Sequence, residues 1–231
     1  MPERREFRSR ERKSGIRNPN LIVIASEGSN TEPQYFEGLK EKYTNTKIHV
    51  EILPPRENTK SAPKFVLGQL DDFRRTYKLN EDDQLWLVFD LDRWEEEEIS
   101  EVCKLAHQKG YSLAVSNPCF ELWLLLHHRD LTDYSEEIKE EFRKNFKDGT
   151  PRTRLNRELL EILGRYNSTN IALEDFLPFV EIAIERARKI DTGENHRWPT
   201  DLGSKVYRLA EQIVNNQKIR PLFSGYNYPE V

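Results

Sequence analysis

The chain has 231 residues, of which 36% are hydrophobic and 10% aromatic, with 36 Lys and Arg against 40 Asp and Glu and a net charge of −4. That content is enough for one sizeable domain, or a core with an appended subdomain, and it excludes a disordered polymer. Two cysteines, Cys103 and Cys119, are too few for a disulfide scaffold or a zinc cluster, and no apolar run approaches membrane-spanning length. With no apolar secretory segment at the start, the expectation is a cytoplasmic protein with no membrane role.

Residues 1–18 form a basic arm: the first 20 residues hold seven Lys and Arg against three Glu. Such an arm tracks a nucleic-acid backbone, with salt-dependent and sequence-blind affinity, or it is a solvated tail. Residues 21–25 (LIVIA) then read as a buried strand. The spacing of Tyr35, Phe36, Leu39 and Tyr43 predicts a helix over 33–43, with Thr31 as N-cap and Pro33 in its first turn. Residues 47–53 alternate as a second strand that ends at Pro54-Pro55. Helix 62–77, strand 84–89, helix 95–109 stopped at Gly110, and strand 111–115 follow. This repeated alternation predicts a parallel sheet wrapped by helices, with a core over 19–130.

After Ser116 the pattern changes. Asn117-Pro118 opens an apolar helix over 119–128, and helices are predicted over 135–147, 153–166, 174–190 and 201–215, with no further strand. Residues 131–231 thus read as a mostly helical elaboration of the same domain.

The apolar run Leu85-Trp86-Leu87-Val88-Phe89 ends abruptly in Asp90-Leu91-Asp92. Ligands of parallel α/β sheets sit beyond the carboxyl ends of the strands, and residues two apart on a strand face the same way. Two carboxylates so close repel, and a divalent cation with a preference for oxygen, Mg²⁺ or Mn²⁺, removes that penalty. The plainer alternative is one helix-capping aspartate and one solvated one. Glu27 sits at the end of the first strand, ahead of Gly28, and Glu32 at the following helix start. Glu32 is a candidate ligand, although it equally complements the helix dipole. Glu121, one turn into an apolar helix, is a further candidate acid, since burying it unpaired is costly.

Ser116 and Asn117 are expected to cap that helix or hold a phosphate oxygen. Lys60, Lys64, Arg93, Arg152, Arg154 and Lys205 are candidate phosphate contacts by charge and loop position. Any of them is otherwise an ordinary surface cation. His127 and His128 read mainly as packing or surface residues.

These pieces resemble the RloB family and, more broadly, the Toprim domain shared by primases, topoisomerases and OLD-type nucleases. The matching segments are Glu27-Gly28 through Thr31-Glu32-Pro33 and Tyr35-Phe36, then Asp90-Leu91-Asp92, then Ser116 to Trp123 (SNPCFELW). Trp198-Pro199-Thr200 is similar to the family's Asn-Pro-x-Thr segment, with Trp198 in place of the Asn. The resemblance implies a Toprim-like parallel sheet of about four strands flanked by helices. It also implies that Glu27, Asp90 and Asp92 bind Mg²⁺, with Glu121 a further acid. It further implies an ABC- or AAA-type ATPase partner in restriction or anti-phage loci. The chain has no Walker A motif of its own, so an ATP-driven step must come from that partner.

The expected activity is metal-dependent phosphodiester cleavage of DNA or RNA, with Glu27, Asp90, Asp92 and Glu121 as catalytic acids. The alternatives are a non-catalytic module that binds metal and nucleic acid or regulates an ATPase, and nucleotidyl transfer. A homo-oligomer is compatible with all three.

Overall fold

The computed structural model describes residues 19–43, 47–55, 62–191, 193 and 196–215; the basic arm and Lys60 lie outside the described residues. Five strands form one sheet: β1 (Asn20–Ser26), β2 (Ile48–Ile52), β3 (Gln84–Asp90), β4 (Ser112–Asn117) and β5 (Gly203–Ser204). Their order is β2-β1-β3-β4-β5, with every pairing parallel except β4 with β5. The helices among the described residues are α1 (Thr31–Tyr43), α2 (Pro63–Thr76), α3 (Glu96–Lys109), α4 (Phe120–Leu126), α5 (Glu136–Lys144), α6 (Arg154–Leu163), α7 (Val180–Ile190) and α8 (Val206–Asn215).

The continuous apolar strands are explained by burial on both faces. Ile22, Ile24, Trp86, Val88 and Ala114 point to a core completed by α1 and the helices after β4. Leu21, Val23, Leu85, Leu87, Phe89 and Val115 point the other way, onto α2 and α3. The first core runs without a break from Tyr35 and Phe36 to Phe142, Leu155, Phe176 and Ile213, so the C-terminal helices are built onto the sheet. No described helix is long and apolar enough to cross a membrane.

The chain is α/β, as expected, with three corrections. A fifth, antiparallel strand occurs where only helix was predicted; Gly203 and Ser204 pair with Asn117 and Ser116, and Lys205 N donates to Val115 O at 2.8 Å. The predicted 174–190 helix is two 3-10 turns, Leu173–Asp175 and Leu177–Phe179, before α7. Pro178 lies within that stretch and has no amide to give a helical ladder. Thr31 is inside α1, and its hydroxyl donates to Ser168 O at 2.6 Å.

Because β1 leads to β2 on one side while β3 lies on the other, the switch point of the sheet falls between the carboxyl ends of β1 and β3.

Candidate functional site

Glu27 and Asp90 meet at that switch point. Glu27 N donates to Val88 O at 2.9 Å, extending the β1–β3 ladder one residue past the strand and placing Glu27 beside Asp90. Asp92 lies beyond the strand, in a turn whose backbone is fixed by Leu91 N to Ser116 O and Asp92 N to Pro118 O, at 3.0 and 3.1 Å. The two aspartates therefore reach one cavity through a turn rather than through strand alternation. That cavity, of about 390 Å³, is lined by Glu27, Glu32, Asp90, Asp92 and Glu121, with Arg93 the one cation on its wall among the described residues.

The bond network leaves specific oxygens without partners. Glu27 Oε2 accepts from Trp94 Nε1 at 3.1 Å and from Asp90 N at 3.4 Å. Glu27 Oε1 and Asp90 Oδ1 are buried and accept no hydrogen bond from the described residues. Arg93 Nε stands 3.7 Å from Asp92 Oδ1 on an exposed side chain. Glu32 is folded back over Gly28: a Cβ on Gly28 would lie 1.9 Å from Glu32 Oε2, so only glycine leaves room for that carboxyl.

Glu27, Glu32, Asp90 and Asp92 are hard to ionise. Burial raises Glu27 and Asp92 above the usual carboxylate range, against the Trp94 bond on Glu27 and the charge of Arg93 near Asp92. Burial, then the charges of Glu32, Glu121, Asp92 and Glu27, hold Asp90 well above it. Glu32 is pushed up to about 7 by burial and by Glu121 and Glu27, despite hydrogen bonds from the backbone.

Hard oxygen donors, two of them buried without partners, on mutually repelling carboxyls are the donor chemistry of Mg²⁺ or Mn²⁺. Among the described residues no three such side chains are already drawn into a metal cage. Mg²⁺ keeps several waters and takes one or two carboxylates together with substrate phosphate, so it does not require a closed protein cage. The residues present thus fit the cation by chemistry rather than by a closed cage.

Several predicted site residues lie elsewhere. Ser116 is buried, 2.9 Å from Ser204 Oγ, because β4 runs two residues past its predicted end. Asn117 Nδ2 donates to Pro199 O, which ties the Trp198-Pro199-Thr200 segment to β4. The residue at the N-cap of α4 is Cys119, whose side chain makes no capping bond. Lys205 is 1% exposed; its ammonium donates to Gly193 O and His196 O and lies 3.7 Å from Asp191, so it is a structural cation. Lys64 is exposed with its ammonium over the Phe65 ring, and it is not on the cavity wall. Arg152 is exposed, and Arg154 is paired to Glu141 and Glu158 at 2.8 and 2.7 Å. His127 is buried between Tyr35 OH and Trp123 O, at 3.0 Å each, and burial lowers its pKa to about 3. Burial also lowers His128.

Sequence reading missed the neutral side of the cavity, formed by Asn145, Thr153, Asn156, Ser168 and Thr169. Asn145 has left-handed backbone (φ 45°); its Nδ2 donates to Cys119 Sγ at 3.3 Å and its Oδ1 accepts from Leu155 N at 3.0 Å, joining three helices at the wall. Gln34 Nε2 donates to Thr169 O at 2.9 Å and its Oε1 accepts from Ile171 N at 3.1 Å, clamping the 166–171 loop onto α1. Thr153, the side-chain cap of α6, had a sequence signal as a helix start, though not as a site residue.

Comparison with curated proteins and with solved structures gave no match. The family described as RloB-like protein matches residues 22–213, which takes in all five acids and the neutral wall. The chain belongs to the RloB-like protein family.

Proposed function

We propose that this chain is a divalent-cation-dependent phosphodiesterase that hydrolyses DNA or RNA and works with an ATPase partner in an anti-phage or restriction-associated system. The observation that supports the chemistry is the pair of buried, partnerless oxygens, Glu27 Oε1 and Asp90 Oδ1, at adjacent strand ends in an acid-lined cavity. The carboxyls that line the cavity repel a polyanion once ionised, and a cation offsets that charge.

Glu27, Asp90 and Asp92 would hold Mg²⁺ or Mn²⁺, with Glu32 and Glu121 as further acids around it. A cation held there supplies positive charge to the phosphoryl and leaving oxygens. Arg93, exposed at the cavity edge, holds a non-bridging phosphate oxygen. Glu27 Oε1 either binds the cation or accepts the proton of the attacking water. The hydroxyls and amides of Thr153, Asn156, Ser168 and Thr169 face the rest of the nucleotide without adding negative charge.

The test is incubation of the purified chain with labelled tRNA, single-stranded DNA and duplex DNA, with Mg²⁺, Mn²⁺ or a chelator, beside Asp90→Ala. Cleavage that needs the metal and is lost in the variant is the expected result, and it assigns the substrate. If no substrate is cut even with the ATPase encoded nearby added, the hydrolytic reading is wrong and a non-catalytic module takes its place.

A further inference from the structure

Trp94 lies four residues past the β3 end, in the turn before α3. Its ring packs at the edge of the core on the α2 and α3 side, while its indole N–H reaches back across the β1–β3 switch point to Glu27. The same Glu27 oxygen, Oε2, also takes the Asp90 amide, so both donors act on one atom. The other oxygen, Oε1, is left buried and without a donor. A glutamate has three side-chain torsions to fix, and a half-buried carboxylate with one oxygen held at two points loses most of that freedom. The turn that carries Trp94 is itself held, Trp94 N donating to Leu91 O at 3.3 Å and Leu91 N to Ser116 O and Pro118 O.

We infer that Trp94 is a positioning residue: its indole N–H pins Glu27 Oε2 so that Glu27 Oε1 is presented, unpartnered, to a divalent cation in the acid-lined cavity. Trp94 touches neither the cation nor the phosphate, and it acts through Glu27 alone. The inference rests on the cavity being a cation site, and it adds a constraint that the acids alone do not impose. Partners that orient a metal-ligating carboxylate typically cost about 10- to 100-fold in affinity or activity when removed. Phenylalanine keeps the packing ring and removes the donor, so Trp94→Phe isolates the hydrogen bond.

The experiment is Mn²⁺ titration by calorimetry on the full chain in four forms: wild type, Trp94→Phe, Glu27→Gln and the double variant, with the fold checked by circular dichroism. Trp94→Phe is expected to weaken Mn²⁺ binding by about tenfold or more. In the Glu27→Gln background the same change is expected to cost nothing further, a pattern that a merely packing role does not produce. On the natural protein, the Trp94 indole N–H resonance is expected to shift on Mg²⁺ addition and to lose that response in Glu27→Gln. This second measurement decides the matter should Trp94→Phe not fold. Wild-type binding weakened by Glu27→Gln but untouched by Trp94→Phe overturns the role of Trp94 and leaves the cation site standing. Equal losses in both backgrounds do the same. Absence of Mn²⁺ binding by the wild type overturns the cation site and the inference together.

Discussion

In a chelator, Glu32 should subtract from the protein's stability as pH rises towards neutrality. Glu32 is 6% exposed, and burial together with the charges of Glu121 and Glu27 moves its carboxyl from 4.5 to about 7. Below the lower value both folded and unfolded chains hold the proton. Between the two, the unfolded chain releases it while the folded chain keeps it, so rising pH favours unfolding until the folded carboxyl also ionises. At about 1.4 kcal/mol per pH unit, a carboxyl moved from 4.5 to about 7 contributes about 3 kcal/mol that is present in acid and gone above neutrality. Glu27, Asp90 and Asp92 are shifted in the same direction and steepen the fall. The assay is urea unfolding from about pH 5 to about pH 8 in chelator, for wild type and Glu32→Gln. The amide cannot ionise, so the variant should show a shallower loss and be the more stable protein at the alkaline end. Mg²⁺ should flatten the wild-type curve, because a ligand of the folded state alone stabilises it. Buried His127, held down to about 3, and His128 give the opposite slope below about pH 6.5, so the difference between the two proteins carries the test: an unchanged slope in Glu32→Gln would refute the reasoning.

Gly28→Ala places a methyl where the Glu32 carboxyl now lies, and the flexible end of Glu32 must move. Mn²⁺ affinity by calorimetry should fall by about tenfold, while urea unfolding should move by no more than about 1 kcal/mol. Lys205→Met leaves Asp191 and the carbonyls of Gly193 and His196 without their ammonium. Urea unfolding should register a loss of about 1–3 kcal/mol, the cost of buried carbonyls left without their donor, while Asp191 keeps Arg208 at 2.8 Å and the Tyr207 hydroxyl at 3.0 Å. The salt dependence of nucleic-acid binding should stay as it was, because a buried lysine neutralises no phosphate.

The parallel sheet was legible because its strands are apolar on both faces and its helices carry stops such as Gly110, whose left-handed backbone (φ 73°) closes α3. Glu27, Asp90 and Asp92 were legible as strand-end acids because each follows closely on an apolar run; the sheet order then brings the ends of β1 and β3 together. Ser116 was misplaced by a strand end set two residues short, an error that turns a buried ladder residue into a helix cap. The strand β5 has two residues and no periodicity to read. Lys205 resembles any surface cation in sequence; its burial depends on carbonyls that an irregular segment brings to it. Ser168 and Thr169 were invisible because they meet Thr31 and Gln34 across more than 130 residues of chain. No local pattern encodes such a meeting.

The clamp of the 166–171 loop onto α1 has a consequence for how this fold can change. All five acids come from the first 121 residues, whereas the opposing wall comes largely from α6 and the loop after it. Substitutions at Asn156, Ser168 or Thr169 alter the width and hydrogen-bonding character of the entrance without touching a carboxyl. The acids and the neutral wall of the cavity thus come from separate halves of the chain, and the second can change while the first is held. Cutting the chain after α4 would leave the acids exposed on an unroofed sheet, with α1 stripped of the loop that braces its first turn.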